Sequence, residues 1–205
     1  MAEYHLKLPL TNEDIEKLHI GDIIYLSGEM FMGRDAVHER SLEFKKEGKD
    51  LPLDPKGRAI FHCGPVVKKN EDNTWDVFAA GPTTSSRMNL FEPEFIEAFD
   101  VKVVIGKGGM DNRTLDALKK FKAVYCAFTG GAGVIAASGM KNKKMKEVHW
   151  LDLGTPEAFW IFDADEFGPL TVAMDSHGQS LYNNVRAKAA ENIKDIEKEY
   201  NLKLT

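Results

Sequence analysis

VKVVIGKGGMDNRTLDALKKFKAVYCAF, residues 101–128, is the stretch that decides the fold class. Residues 101–105 are β-branched apart from Lys102, and the run stops at Gly106-Lys107-Gly108-Gly109, which predicts a strand ending in a glycine-rich loop. Leu115, Leu118 and Phe121 then recur at the spacing of one helical face, and 123–128 returns to an apolar run with strand character.

The flanking sequence has the same texture. Upstream, Glu92-Pro93 opens a helix carrying Phe95, Ile96 and Phe99, and the runs 58–63 and 75–80 flank the turn-like 68–73 and are expected to pair as a hairpin. Pro52 and Pro55 mark 48–57 as a loop, and Val37, Ser41 and Phe44 predict a helix over 34–46. A buried strand is expected at 22–26, stopped by Gly28 and followed by a loop through Gly33. Before it, an extended arm leads into a helix started by Thr11-Asn12-Glu13-Asp14 and closed by Gly21. Downstream, 148–151, 158–162 and 170–174 read as strands, and a closing helix presents Tyr182, Val185, Ala189, Ile193, Ile196 and Tyr200 on one face. Helices neither alternate strictly with strands nor segregate from them, so the expected fold is α/β, a single mixed-sheet domain over 1–205.

Composition narrows the function. A chain of 205 residues with 43% hydrophobic and 29% charged residues is globular, and too short for two independent cores. Its 27 Lys and Arg against 32 Asp and Glu, net charge −5, give no bulk attraction to nucleic acid or anionic membrane, so neither is expected as a partner. No apolar run reaches the length of a spanning helix and the N-terminus lacks a basic-then-apolar leader, which sets the expected location as cytoplasmic. Cys63 and Cys126 each sit in an apolar run and read as buried thiols. Two thiols are too few for a structural zinc or an iron–sulfur cluster, so no metal is expected on this chain alone.

Apolar runs stop at glycine-rich loops at 28–34, 81–88, 106–110 and 130–133, and in α/β folds ligands gather at such strand ends. Arg34, Arg87 and Lys107 are lone cations in these loops, where a charge calls for a counter-ion or a ligand. The 106–109 loop lacks the spacing and hydroxyl of a phosphate loop, and 130–133 lacks the order of a dinucleotide loop, which leaves close backbone packing there. His38 stands one helical turn after Arg34 with Asp35 between them, either a site residue or a satisfied core histidine. Asp175-Ser176-His177 holds the letters of a catalytic triad, but adjacent residues rarely aim three side chains at one point, so a polar turn is expected.

Four motifs together, Gly33-Arg34-Asp35-Ala36-Val37-His38, Gly81-Pro82-Thr83-Thr84-Ser85-Ser86-Arg87-Met88, Ile105-Gly106-Lys107-Gly108-Gly109-Met110 and Phe167-Gly168-Pro169-Leu170-Thr171-Val172, resemble the class I fumarate hydratase family. The match is to its β subunit or C-terminal domain, shared with L(+)-tartrate dehydratase, and it runs through Trp150-Leu151-Asp152-Leu153-Gly154 and Glu157-Ala158. The resemblance implies a swivelling β/β/α domain that completes an active site on a separate α subunit, in a heterotetramer of two α and two β chains. It also implies a 4Fe-4S cluster on the α subunit, not ligated by this chain. Arg34, Arg87 and Lys107 then fall on substrate-binding positions, with Asp35 and His38 in the first motif assigned beside them, and Thr83 falls where a proton is removed. The alternative for Thr83 and Thr84 is to hold the turn after Pro82 through hydroxyl–backbone bonds.

The implied activity is a hydro-lyase interconverting (S)-malate and fumarate. L(+)-tartrate dehydration and a non-catalytic dicarboxylate-binding module are the alternatives. Loss of water from a 2-hydroxydicarboxylate needs a Lewis acid at the hydroxyl, a base at the neighbouring carbon and fixed cations for the carboxylates. The cations are in this sequence and the iron ligands are not.

Overall fold

The Thr11 hydroxyl accepts from the Asp14 backbone N–H and the Asp14 carboxylate accepts from the Thr11 backbone N–H, a capping box that starts the first helix where the sequence sets it. The structure, a computed structural model, describes residues 1–200. Around that helix, α1 (Asn12–Glu16), lie β1 (Glu3–Lys7) and β2 (Ile23–Met32). There follow α2 (Asp35–Lys46), β3 (Ala59–Phe61), β4 (Val66–Lys69), β5 (Trp75–Ala79) and, after a 3-10 turn at Ser85–Met88, α3 (Glu92–Phe99). The central unit is β6 (Val103–Gly106), α4 (Asn112–Phe121) and β7 (Val124–Ala127). After α5 (Gly133–Ser138) come β8 (Lys144–Met145), β9 (Glu147–His149), the long β10 (Phe159–Met174) and α6 (Leu181–Tyr200).

The strands β1, β2, β3, β6 and β7 lie side by side and run parallel, as crossover helices such as α2 and α4 require. β10 runs antiparallel to β9, β2 and β7 in turn, from Trp160↔Met32 to Val172↔Cys126. Because β10 meets both β2 and β7, the mixed sheet closes on itself as a barrel.

Alternation along the strands then buries both faces. Ile24, Leu26, Phe61, Ile105, Cys126, Phe162 and Phe167 point to one core, while Phe31, Ile60, Val104, Tyr125 and Ile161 point to a second core beneath the helices. Phe61 meets Phe128 and Phe167 edge-on at centroid distances of 5.9 and 5.3 Å, inside the first.

Several expectations are corrected. The N-terminal arm is a strand, β1, and β2 does not stop at Gly28 but continues to Met32, because its apolar register resumes at Met30. Residues 58–63 and 75–80 do not pair. β3 enters the main sheet, while β4 and β5 form the hairpin around the predicted turn and join β8 in a small separate sheet. The runs 158–162 and 170–174 are one strand, carried across register shifts around Phe167. The α6 helix forms as expected, but only Leu181 and Tyr182 pack on the core. Val185, Ile193, Ile196 and Tyr200 are 67, 37, 43 and 63% exposed. Among the described residues no helix is long and apolar enough to cross a membrane.

Gly28 shows what β2 demands. Its φ of +119° is one that L side chains avoid, and an added Cβ would lie 3.1 Å from the Leu8 carbonyl oxygen. Gly28→Ala is expected to cost about 1–3 kcal/mol, measured by urea unfolding of the purified chain.

Candidate active site

Three parallel strands deliver the motifs to one end of the sheet. Arg34 follows β2 at the N-cap of α2, His62 follows β3, and Lys107 follows β6. The 81–88 loop is stitched across these ends by its backbone. Thr83 N–H donates to the His62 carbonyl at 2.7 Å, Lys107 N–H to the Thr83 carbonyl at 3.3 Å, and Ser85 N–H to the Lys107 carbonyl at 2.9 Å. Residues far apart in sequence therefore share one rim, and each is anchored by main chain rather than by a flexible side chain.

The cations differ in their company. Arg87 pairs with Asp35, and Arg34 Nη2 lies 3.0 Å from Oε1 of Glu157, in the turn before β10. The buried Nε of Arg34 and Oδ1 of Asp35 have no hydrogen-bond partner. Lys107 is exposed and has no acidic partner among the described residues. Thr83 is half-buried. Among the described residues neither its hydroxyl nor that of Thr84 bonds the backbone; main-chain bonds and the side chains of Ser85 and Arg87 hold the loop.

Beneath this rim lies a wholly buried polar cluster that sequence reasoning missed. Glu92, the first residue of α3, has its Oε2 3.2 Å from His38 Nε2 and 2.9 Å from His62 Nε2. His38 Nδ1 donates to the Arg34 carbonyl at 2.8 Å, and His62 Nδ1 lies 2.9 Å from Ser85 Oγ, which also accepts from Tyr125 Oη at 3.1 Å. Of the two readings of His38, its surroundings are those of a satisfied core histidine. Its side chain is 0% exposed and both ring nitrogens face protein acceptors. Glu92 and His62 gave only a helix-start signal and one polar residue in an apolar run, and nothing in either pattern points at the other.

Charge follows contact. Burial alone would raise the Glu92 carboxyl, but the two imidazoles hold it down at about 2. Burial would lower His38, and the Glu92 carboxylate with the Arg34 carbonyl outweighs it, so His38 is raised; in His62 burial prevails and the ring is lowered. Burial also pushes both thiols, Cys63 and Cys126, well up, which leaves them inert core groups as expected. The Asp175 carboxylate accepts from the Ile20, His177 and Gln179 backbones, and His177 Nε2 lies 3.1 Å from the Glu16 carbonyl, so that motif is a structural turn. In the 130–133 loop, a Cβ on Gly133 would meet the Gly81 nitrogen at 3.2 Å, the close packing anticipated there.

The model of the fumarase C-terminus family matches residues 1–185. The chain belongs to that family. It is 46% identical over 176 residues to the L(+)-tartrate dehydratase subunit beta of Escherichia coli K12, covering 86% of this chain and 85% of that protein. It is 41% identical over 188 residues to a putative L(+)-tartrate dehydratase subunit beta of Methanocaldococcus jannaschii, 91% of this chain and 95% of that one. A putative class I fumarate hydratase of Geobacillus stearothermophilus is 38% identical over 188 residues, 92% of this chain but 35% of the relative's length. This member of the fumarase C-terminus family thus resembles both free-standing subunits and one part of a longer enzyme.

Two outcomes follow from the packing. A Cβ on Gly106 would sit 1.9 Å from Ser85 Oγ, so Gly106→Ala should unseat the 81–88 loop and cost about 1–3 kcal/mol in urea unfolding. Because the Glu92 carboxyl is lowered on folding, its contribution is complete above its ordinary value of 4.5 and is lost as pH falls toward about 2. The acid limb of a stability–pH curve should therefore be shallower in Glu92→Gln than in the parent chain.

Proposed function

We propose that this chain is the β subunit of a hydro-lyase that removes water from a 2-hydroxydicarboxylate, working with a separate α subunit. The observation that carries the reading is the gathering of Arg34, Thr83, Arg87 and Lys107 at the carboxyl ends of β2, β3 and β6. A small dianion satisfies this set. The partly exposed Arg34 guanidinium and the free Lys107 ammonium offer donors to one carboxylate, and the Arg87 guanidinium offers a second fork. Fixed cations also oppose the charge that builds on a carboxylate when the proton beside it leaves, the kind of preorganised electrostatics that lowers a barrier most. In this reading the unbonded Thr83 hydroxyl, set among cations, receives or relays that proton.

Family resemblance implies a 4Fe-4S cluster. The residues of this chain do not fit one: its two thiols, Cys63 just after β3 and Cys126 within β7, are buried and held protonated. The cluster is therefore assigned to the α subunit, and no step here passes through it. A swivelling β/β/α domain, seated against that subunit in a heterotetramer of two α and two β chains, is part of the same proposal.

For the substrate, (S)-malate with fumarate is one reading, and L(+)-tartrate, which loses water to the enol of oxaloacetate, is the other. The second is favoured because the relatives matched over 85% and 95% of their own length carry that name. Anaerobic assays of the assembled subunits decide it by the ratio of kcat/KM for the two acids.

In the assembled enzyme, Arg87→Lys should lower kcat/KM by at least about a hundredfold, since a point charge cannot reproduce a bidentate fork. Thr83→Ala should lower kcat by at least about a hundredfold with little change in KM, and Thr84→Ala should be milder. Turnover by this chain alone, or near-normal kcat in Thr83→Ala, would sink the proposal; tight dicarboxylate binding with no turnover in any assembly would favour the binding-module alternative.

A further inference from the structure

The buried cluster under the rim touches no solvent, yet it joins the two segments that carry the site. On one side, His38 Nδ1 holds the carbonyl of Arg34 at 2.8 Å, at the turn where β2 passes into α2. On the other, the His62 ring reaches Ser85 Oγ at 2.9 Å, in the middle of the loop that bears Thr83 and Arg87. The two rings meet edge-on at a centroid distance of 5.2 Å, and Glu92 joins them through one shared carboxylate oxygen.

The partners of each ring bear on where the protons sit. A backbone carbonyl only accepts, so His38 Nδ1 carries a proton; its Nε2 faces a carboxylate and carries another, which makes His38 an imidazolium. Ser85 Oγ accepts from Tyr125, and giving its own proton to His62 Nδ1 suits a ring whose burial favours the neutral form. His62 is then neutral, with its proton on Nε2 beside Glu92. Its Nε2, although 2.9 Å from Glu92 Oε2, is out of line for a hydrogen bond, and Glu92 Oε1 has no partner. A small rotation of the carboxylate can trade one contact for the other. The position of Ser85 is fixed from above as well, because its Oγ occupies the space a Cβ on Gly106 would take.

We propose that Glu92 is the positioning residue of the site: clamped between His38 and His62, it sets the two rings that tie the Arg34 turn to the Thr83–Arg87 loop. Glu92 touches no substrate. It acts by making the two halves of the site one rigid unit, so that a dicarboxylate meets Arg34, Arg87 and Thr83 at fixed separations. The proposal deepens the dicarboxylate reading and rests on it for its kinetic consequence, while the charge states of the rings are independent of any activity.

The same three side chains are of types that bind metals, and each histidine has its second nitrogen held by a protein oxygen, as metal ligands do. The experiment must therefore separate a hydrogen-bonded cluster from a loaded one. Nitrogen-15 NMR of histidine-labelled chain at neutral pH should show one buried imidazolium, His38, and one neutral ring, His62, with elemental analysis finding no stoichiometric metal. In Glu92→Gln the His38 imidazolium signal should disappear.

In the assembled enzyme, Glu92→Gln should lower kcat by between about tenfold and a hundredfold with KM nearly unchanged. Ser85→Ala, which keeps the charges but cuts the link to the loop, should lower kcat in the same direction, and the double variant should be no worse than Glu92→Gln alone. A neutral His38 in the parent chain, a bound metal, or additive kinetic losses would each overturn the proposal. If Glu92→Gln fails to fold, the parent spectrum and Ser85→Ala still decide it. An assembly with no hydro-lyase activity would remove the functional reading while leaving the imidazolium assignment standing on its spectrum.

Discussion

The structure hangs on the closure of the sheet by β10. A strand of 16 residues pairs first with β9, then with β2 and finally with β7, and without it the edges of β2 and β7 would lie open. A strand cannot serve three neighbours without bending, and β10 bends where its register shifts between Ala164 and Phe167 and again before Leu170. At that corner Glu166 adopts a left-handed φ of 52°, secured by its backbone N–H to Ser27 Oγ at 3.1 Å and by the Ser27 hydroxyl donating to its carboxylate at 3.0 Å. Phe167 swings inward and packs against Phe61, Phe128 and Phe162. The bend that closes the barrel also fills it.

Closure has a consequence at the opposite scale. Once both faces of β2, β3, β6 and β7 are buried, polar groups can leave the core only at strand ends, and parallel strands put those ends on one side. The loops carrying Arg34, Thr83, Arg87 and Lys107 are there because the chain has nowhere else to turn. The cluster of Glu92, His38 and His62 is instead wholly buried beneath that rim. Replacing a buried ionic cluster by apolar side chains is often neutral or stabilising, so a network of this kind is weak support for stability and better understood as fixing geometry.

What the sequence revealed and what it hid follow from the range of the interactions involved. Periodicity reports local burial, so α2, α3, α4, β6 and β7 were legible within a residue or two, and so was the α1 cap, a contact between residues three apart. Pairing is not local. Residues 58–63 and 75–80 have equally strand-like patterns, and only the barrel decides that the first joins β2 and β6 while the second joins β4. Likewise the α6 stripe from Val185 to Tyr200 has the period of a buried face but meets nothing on the core, since period does not say what covers it. At the site, isolated cations in glycine-rich loops were a readable signal. Glu92 was not, because a carboxylate at a helix start is common on surfaces and its meaning here comes from two rings far away in sequence, His38 and His62.

The internal partners of the cations bear on how a dicarboxylate would bind. Arg34 and Arg87 are held by Glu157 and Asp35 before any ligand arrives. Each guanidinium has five donors in a rigid fork, so a carboxylate that orients it from one side leaves others free. For the ligand proposed above, this arrangement trades raw attraction for order: part of each positive charge is already neutralised, but the side-chain entropy that a free arginine would lose on binding has been lost in folding. Lys107, with no acidic partner among the described residues, keeps its full charge at the rim. On a chain of net charge −5, long-range attraction for a dianion is unfavourable, and selectivity rests on these fixed short-range donors. Under the dicarboxylate proposal, a ligand with one carboxylate would meet only one end of the set, whereas a dianion would have donors for both.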